Sequence, residues 1–494
     1  MGAGPAGLAT AWFLREHGFQ NVTVFERHGR VGGLCFTLSE GYKSFDLGAN
    51  YVTPAYRETL KLARSVGART YRSRQYIAAR VPEIDPGYGP LKYTEMTDLV
   101  REIHDPQGNP ERDAQGRIDH IPWPTLVLAI LRYIVCRFRV RRAIDSPWFD
   151  RIHEHPDLCV TFGQWLDSNG LNALRSLFEI CITLMGYGEI NDIAAPYALK
   201  FMSLGTFIPV VLRQVPLVGW LFPWPRSFVH GFQRLWEAVS WRLNVRHDVT
   251  VERIVRDAAS APPTQDSHKH PIQIDMEFPV GIFNTDETNP VTLWFDYLVV
   301  ASARVHSLGD RMDIDSYEHQ RLKAVTTFAY CMTTFHPEGG FKLPQPVVCV
   351  VPFTFEGNPD SRPPRPWAVV QLWPEQTPML QCYTKLPDAM AGEGFHQDLM
   401  LSVRTGAENL VSRLGGKRAG STDPEEVLWE HYEQWPYFGH VSAAEMAKGF
   451  FRDLDQMQGY RNTYWVGGAT NFELVEVIVR SAKALVEKHF LGRA

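Results

Sequence analysis

Gly2, Gly4 and Gly7 stand in the spacing G-x-G-x-x-G, and Glu26 follows nineteen residues after the last of them. In such a motif one glycine makes a tight turn, one lets the backbone approach a pyrophosphate, and one lets a helix pack close to a strand. Pro5 and Ala6 open that helix, whose N-terminus offers backbone N–H groups and a dipole to phosphate. Glu26, with Arg27 beside it, ends a short apolar run and is placed to accept hydrogen bonds from ribose hydroxyls. The glycines alone are a weak signal. With the acid at this distance and the turn Arg30-Val31-Gly32-Gly33 behind it, they point to a bound dinucleotide.

The remaining candidates are less specific. Arg69, Arg72 and Arg74 form a cluster that would clamp a substrate carboxylate, since a planar guanidinium pairs two oxygens, or would be solvated surface. Tyr187, between Gly186 and Gly188, points into a cavity or packs in the core. Tyr437 and Phe438 wall a cofactor face or pack beneath it, and His440 is an acid–base group or a structural hydrogen-bonding residue. His153, His155, His268 and His270 have no metal-like partners, so no metal site is expected. No Ser/His/Asp set, paired carboxylates or thiol nucleophile stands out, which leaves the chemistry to the cofactor.

These residues need a scaffold, and the sequence divides into five stretches. Residues 1–70 alternate helix and strand: a helix over Pro5 to Gly18, a strand over Asn21 to Phe25, a loop from Gly48 to Tyr56 and a helix to Val66. Residues 71–229 read as a mainly helical insert. Residues 230–310 return to the first pattern, with a helix over Gly231 to Leu243 and strands over Val249 to Ile254 and Phe295 to Ala301. Residues 311–430 read as strand-rich: Thr326 to Phe335, Val347 to Pro352, Ala368 to Trp373 and Met379 to Tyr383. Residues 431–494 close with a strand at Thr463 to Val466, the Gly467-Gly468 turn and a helix from Glu473 to Leu491. The fold class is α/β: one Rossmann-like dinucleotide domain assembled from three pieces, a helical cap insert and a strand-rich substrate domain. The motif should follow a buried strand, yet Met1 directly precedes Gly2. The first strand is therefore expected to be missing, through a shortened N-terminus or replacement by another strand.

Within the helical insert, Pro122 to Arg142 is apolar and then basic, with Arg137, Arg139, Arg141 and Arg142 at its end. It is too short and interrupted to span a bilayer. It is a helix packed within the cap or one resting on a membrane surface. From Phe201 to Pro225, three prolines forbid one long helix and suggest a kinked cavity wall.

Bulk properties limit the partners. A net charge of −5 leaves no footprint for nucleic acid. Seven scattered cysteines without a C-x-x-C pair suggest reduced thiols and an intracellular, cytoplasmic setting. Aromatic residues at 12% leave some to line an apolar pocket for a small-molecule substrate.

Three segments resemble the flavin-containing amine oxidase superfamily: GAGPAG with Glu26 and RVGG, DVTVERI followed by DYLVVASA, and RNTYWVGG with its helix. The stretches Met185 to Phe201 and Trp435 to Gly468 look like signatures of the polyunsaturated fatty acid isomerases, and the likeness extends to β-cyclopiazonate oxidocyclase-type flavoproteins. The resemblance implies a glutathione-reductase-like domain binding FAD and hydride transfer to flavin N5. The outcome would be desaturation or double-bond isomerisation of a lipid or secondary metabolite, or oxidative cyclisation, or a flavin-binding protein without catalysis. It further implies that Gly48, Ala49, Asn50, Val249, Gly467, Gly468, Val475 and Glu476 join the first motif around FAD. There are departures. The superfamily's Gly-Glu near the ribityl chain is Gly467-Gly468 here, and no lysine lies on the strand around Thr326, although Lys323 is close. No cysteine lies in the C-terminal flavin segment, which implies non-covalent FAD.

Overall fold

In the computed structural model the first three residues join two halves of a parallel sheet. It describes residues 1–40, 43–72, 78–80, 101–103, 111, 113–115, 119–211, 219–256, 271–279, 288–302, 308–335, 341–342, 348–350, 366–371, 380–386, 397–413, 417–418 and 429–491. Strand Thr23–Phe25 pairs in parallel with Asn244–Arg246, and Leu298–Val300 with Thr463–Trp465. Between these pairs, Gly2 donates to the Phe25 carbonyl at 2.8 Å, and Ala301 donates to the Met1 carbonyl at 2.9 Å. The Met1 amino group bonds the Val299 carbonyl at 2.6 Å. No strand precedes the first helix among the described residues; Met1–Ala3 bridge the two halves through these backbone hydrogen bonds.

Helix Pro5–Glu16 starts with proline at its first turn, where a missing N–H costs nothing. It packs with helices Gln233–Ser240 and Val475–His489 around Leu8, Leu14, Trp236, Val239, Val479 and Leu485. These elements are shorter at their ends than the sequence suggests, as frayed termini usually are. A three-stranded antiparallel layer, Thr250–Arg256, Ile272–Pro279 and Thr288–Phe295, lies beside them. Arg256, buried at its end, is held by Asp313 at 2.8 Å and by both Glu318 oxygens at 2.5 and 2.6 Å.

The strand-rich layer is a six-stranded sheet in the order Trp429–His440, Thr326–Phe335, Leu380–Lys385, Pro366–Gln371, Val348–Val350, Ala78–Arg80. Its last pair is parallel, the others antiparallel. It therefore takes one strand from within 71–229 and runs past residue 430 to His440. A 17-residue helix, Gln397–Arg413, also lies within the stretch read as strands. It packs Leu399 and Val403 against Ala329 and Cys331 of the sheet.

The helical layer centres on Trp123–Arg139, Phe162–Ser168, Arg175–Leu184, Ala195–Phe201 and Leu204–Val211. Tyr133, Phe162, Trp165, Phe178 and Phe207 form its ring cluster, with Tyr133 and Phe207 centroids 4.4 Å apart. No described helix is long and apolar enough to cross a membrane.

Candidate active site

The nucleotide cradle is built from backbone. Gly2 and Gly33 have φ of +94° and +52°, and a Cβ on Gly33 would lie 3.1 Å from the Gly4 Cα. A Cβ on Gly7 would lie 1.9 Å from the Gly2 carbonyl oxygen, so only glycine lets the helix approach this closely. Gly4 caps helix Pro5–Glu16 without a side-chain bond, and no acid sits in the first turn. The first N–H groups thus lack a side-chain cap and suit an anion. Glu26 is fixed by two backbone donors, Ala3 at 2.7 Å and His28 at 2.9 Å. Its remaining lone pairs suit ribose hydroxyls. Val249 donates its N–H to the Glu26 carbonyl at 2.9 Å, which puts it beside the same end of the cradle. Arg30 donates to the Gly33 carbonyl at 2.9 Å, whereas Arg27 is exposed.

The C-terminal turn meets this cradle. Gly467 has φ of +131°, and a Cβ there would face Ala6 at 3.8 Å. Gly48 also abuts backbone, with its Cβ position 1.8 Å from the Leu34 carbonyl, and leads into Ala49 and Asn50. Val475 is buried at the start of the closing helix. Glu476 has a different occupation: its carboxylate accepts the backbone N–H groups of Glu58 and Thr59 and the Thr59 hydroxyl, at 2.8 to 3.1 Å. It thereby caps the start of helix Arg57–Ser65.

Beyond the turn lies a closed aromatic box. Tyr187 stacks on Tyr437 at 5.8 Å and lies 5.0 Å from both Phe438 and Phe472. The Tyr437 hydroxyl donates to the Met185 carbonyl at 2.9 Å, and that of Tyr330 to the Gly186 carbonyl at 2.5 Å. Gly186, with φ of +73°, is hemmed by the Tyr330, Trp367 and Tyr437 rings, so no larger residue fits there. The structure thus brings Tyr187, Tyr437 and Phe438 together. It leaves Arg72 exposed on strand Thr70–Arg72, which pairs with Arg226–Phe228. Arg74 lies outside the described residues, as do His268 and His270. Lys323 caps the far end of helix Ser316–Leu322, and Lys385 lies 4.4 Å over the Phe328 ring. His440 stacks on Phe438 at 4.5 Å and bonds the Phe438 carbonyl at 2.6 Å and the Thr326 hydroxyl at 3.3 Å. Burial lowers its pKa by disfavouring the charged ring.

Sequence reasoning missed one residue that joins the cradle to the box. Strand Trp429–His440 slips register opposite Thr326–Phe335 between Phe328 and Thr326, and Phe438 adopts φ of +55° at that bulge. Such a conformation is costly for a non-glycine residue and persists only where its surroundings impose it. The backbone N–H groups of Phe438 and Gly439, at this bulge, lie close enough to the Glu473 carboxylate to favour its charged form. The other carboxylate oxygen, Oε2, is sealed from solvent and has no hydrogen-bond partner among the described residues. Burial pushes the carboxyl up to about 7 despite the two donors. A Cβ on Gly468 would lie 3.2 Å from the Cβ, Cγ and Cδ of Glu473. The carboxylate absent at position 468 is therefore matched by one folded back over it from five residues later. A lost acid followed closely by a new one was the signal available in the sequence.

The residues present suit FAD: a glycine cradle in which a Cβ on Gly2, Gly7 or Gly33 would crowd backbone, an open helix N-terminus, a fixed Glu26, and a third segment that continues toward an aromatic enclosure. Comparison with known proteins agrees. Residues 1–66 match the family model of the NAD(P)-binding Rossmann-like domain. The sequence is 28% identical over 158 residues to flavin-containing amine oxidase A of Sus scrofa, covering 30% of each chain. The chain therefore spans less than a third of the length of that relative. Among solved structures, a CLA-producing fatty acid isomerase from P. acnes superposes with a TM-score of 0.68 at 19% identity, over 99% of this chain and 97% of that one. A putrescine oxidase bound to putrescine gives 0.56 at 14% identity, over 99% and 97%. At these identities the two structures speak for the fold alone. Residues 1–66 thus match a Rossmann-like nucleotide-binding domain, part of the chain is similar in sequence to flavin-containing amine oxidases, and the whole chain shares the fold of these solved structures.

Proposed function

We propose that the protein is an FAD-dependent oxidoreductase that removes hydride from an apolar small molecule, a lipid or secondary metabolite. One observation carries this reading. The turn from Gly467 to Glu473 faces Ala6 of the cradle at one end and reaches the aromatic box at the other. A dinucleotide seated on the glycines would extend toward the box. When bound, the flavin supplies a two-electron acceptor. The chain supplies the rest. Glu26 and the helix N-terminus bind the nucleotide. Tyr187, Tyr437, Phe438 and Tyr330 exclude water and offer an apolar surface to a greasy substrate.

Two outcomes compete: a hydride returned to another carbon shifts a double bond, whereas a second hydrogen lost as a proton leaves a new one. Glu473 favours net oxidation, because only that outcome needs a base, and its Oε2 is an acceptor without a partner among the described residues. In that reaction Glu473 would accept the proton lost from the carbon next to the one oxidised, while FAD held by the glycine cradle and Glu26 would supply the two-electron acceptor.

Reconstitution with FAD followed by anaerobic turnover tests the proposal. The expected result is a yellow protein that bleaches with one equivalent of product and stops until an electron acceptor is added. Continued turnover without an acceptor would mean isomerisation. Failure to retain FAD would overturn the reading as a whole.

A further inference from the structure

Helix Trp123–Arg139 is apolar on both sides, but among the described residues only one side is covered. Its inner side is anchored: the Tyr133 hydroxyl donates to the Met202 carbonyl at 2.7 Å, and buried Arg137 donates to the Leu199 carbonyl at 2.9 Å and pairs with Asp145. Its outer side exposes Leu128 by 67%, Leu131 by 55%, Val135 by 50% and Phe138 by 52%. Positions 128, 131, 135 and 138 recur at three- and four-residue steps and so form one stripe. Basic residues edge it: Arg139 and Arg142 are exposed, and Arg141 lies 3.6 Å over the Phe138 ring. Residues 120–144 hold five arginines and no acid, in a chain whose net charge is −5.

We propose that this helix seats the protein on an anionic lipid bilayer, with the Leu128–Phe138 stripe among the acyl chains and Arg139, Arg141 and Arg142 at the headgroups. An interfacial helix has this arrangement, an apolar face bordered by cations and lying in the membrane plane. At about 1.5 Å per residue the 17-residue helix would lie along roughly 25 Å of surface. Charge decides between occupants. A second copy placed symmetrically on the stripe would bring the same acid-free segment and so no counter-charge from it for the arginine edge, whereas anionic headgroups complement that edge. The anchoring of the inner side also argues against a lid that folds down to cover the stripe. The inference is independent of the flavin reading.

Flotation of the full-length, FAD-treated protein tests it, using phosphatidylcholine vesicles with and without phosphatidylglycerol. The wild type should float with the anionic vesicles and weaken as salt is added. Leu128→Ser/Leu131→Ser/Val135→Ser should abolish flotation, since all three side chains already face outward. Arg139→Ala/Arg141→Ala/Arg142→Ala should lower the partition coefficient about a hundredfold on anionic vesicles and little on neutral ones. A wild type that stays below both gradients would overturn the proposal. So would a serine variant that floats like the wild type, or a dimer in gel filtration that the serine variant converts to monomer.

Discussion

Two buried glutamates lie in opposite circumstances. Glu318 sits under the antiparallel layer with both oxygens on the Arg256 guanidinium, which Asp313 also holds, and Arg461 reaches the same Asp313. Glu473 meets two backbone N–H groups, no cation among the described residues, and has one oxygen without a partner. A chain stabilises the first arrangement by pairing every charge, because an unpaired charge is costly in low dielectric. The second arrangement costs stability, and the protein retains it where cradle and aromatic box meet. The difference separates a carboxylate that holds structure from one available for chemistry.

Breaking the first site should give the largest effect. Glu318→Ala leaves a buried guanidinium with only Asp313 and Thr463 as partners, and a loss of about 3–5 kcal/mol in urea unfolding is expected. A loss below about 1 kcal/mol would show that Asp313 alone suffices and would erase the contrast.

Glu473→Gln should act the other way, and only above a certain pH. The wild-type carboxyl titrates near its ordinary value of 4.5 when unfolded and at about 7 when folded. Its folded-state proton therefore stabilises the protein fully below about pH 4.5, and that contribution is lost as pH rises through about 7. Glutamine cannot lose it. The variant should match the wild type near pH 5 and exceed it by about 1–3 kcal/mol at pH 8 to 9. Equal stability at both pH values would mean that the carboxylate is ionised at little cost.

Much of this molecule was legible from local pattern. The glycine spacing, Glu26 and strand Thr326–Phe335 depend on residues close in sequence, and helix starts and strand alternation are local properties. Helix Gln397–Arg413 was also written locally, in Leu399, Val403 and Ala407 at four-residue steps, but its neighbourhood of strands masked it. Strand Ala78–Arg80 was not legible, because its place beside Val348–Val350 is a long-range pairing. The bulge at Phe438 likewise comes from how two strands distant in sequence pair. Glu473 reads as the first residue of a helix; only the bulge and Gly468 reveal its environment.

The smallest expected effect tests whether Gly468 and Glu473 form one unit. A methyl group at 468 meets the Glu473 side chain at 3.2 Å, close enough that the side chain must shift by a few tenths of an ångström. Because the contact is with side chain and not backbone, Gly468→Ala should cost under about 1.5 kcal/mol. The informative quantity is the coupling. If the methyl acts by displacing the carboxylate from the Phe438–Gly439 N–H groups, its effect should depend on pH in the wild-type background and lose that dependence beside Glu473→Gln. A double-mutant cycle measured at pH 5 and pH 8 reads this directly. Strict additivity at both pH values would mean that the glycine answers to the backbone of its own turn, and that the carboxylate over it is a neighbour and not a replacement.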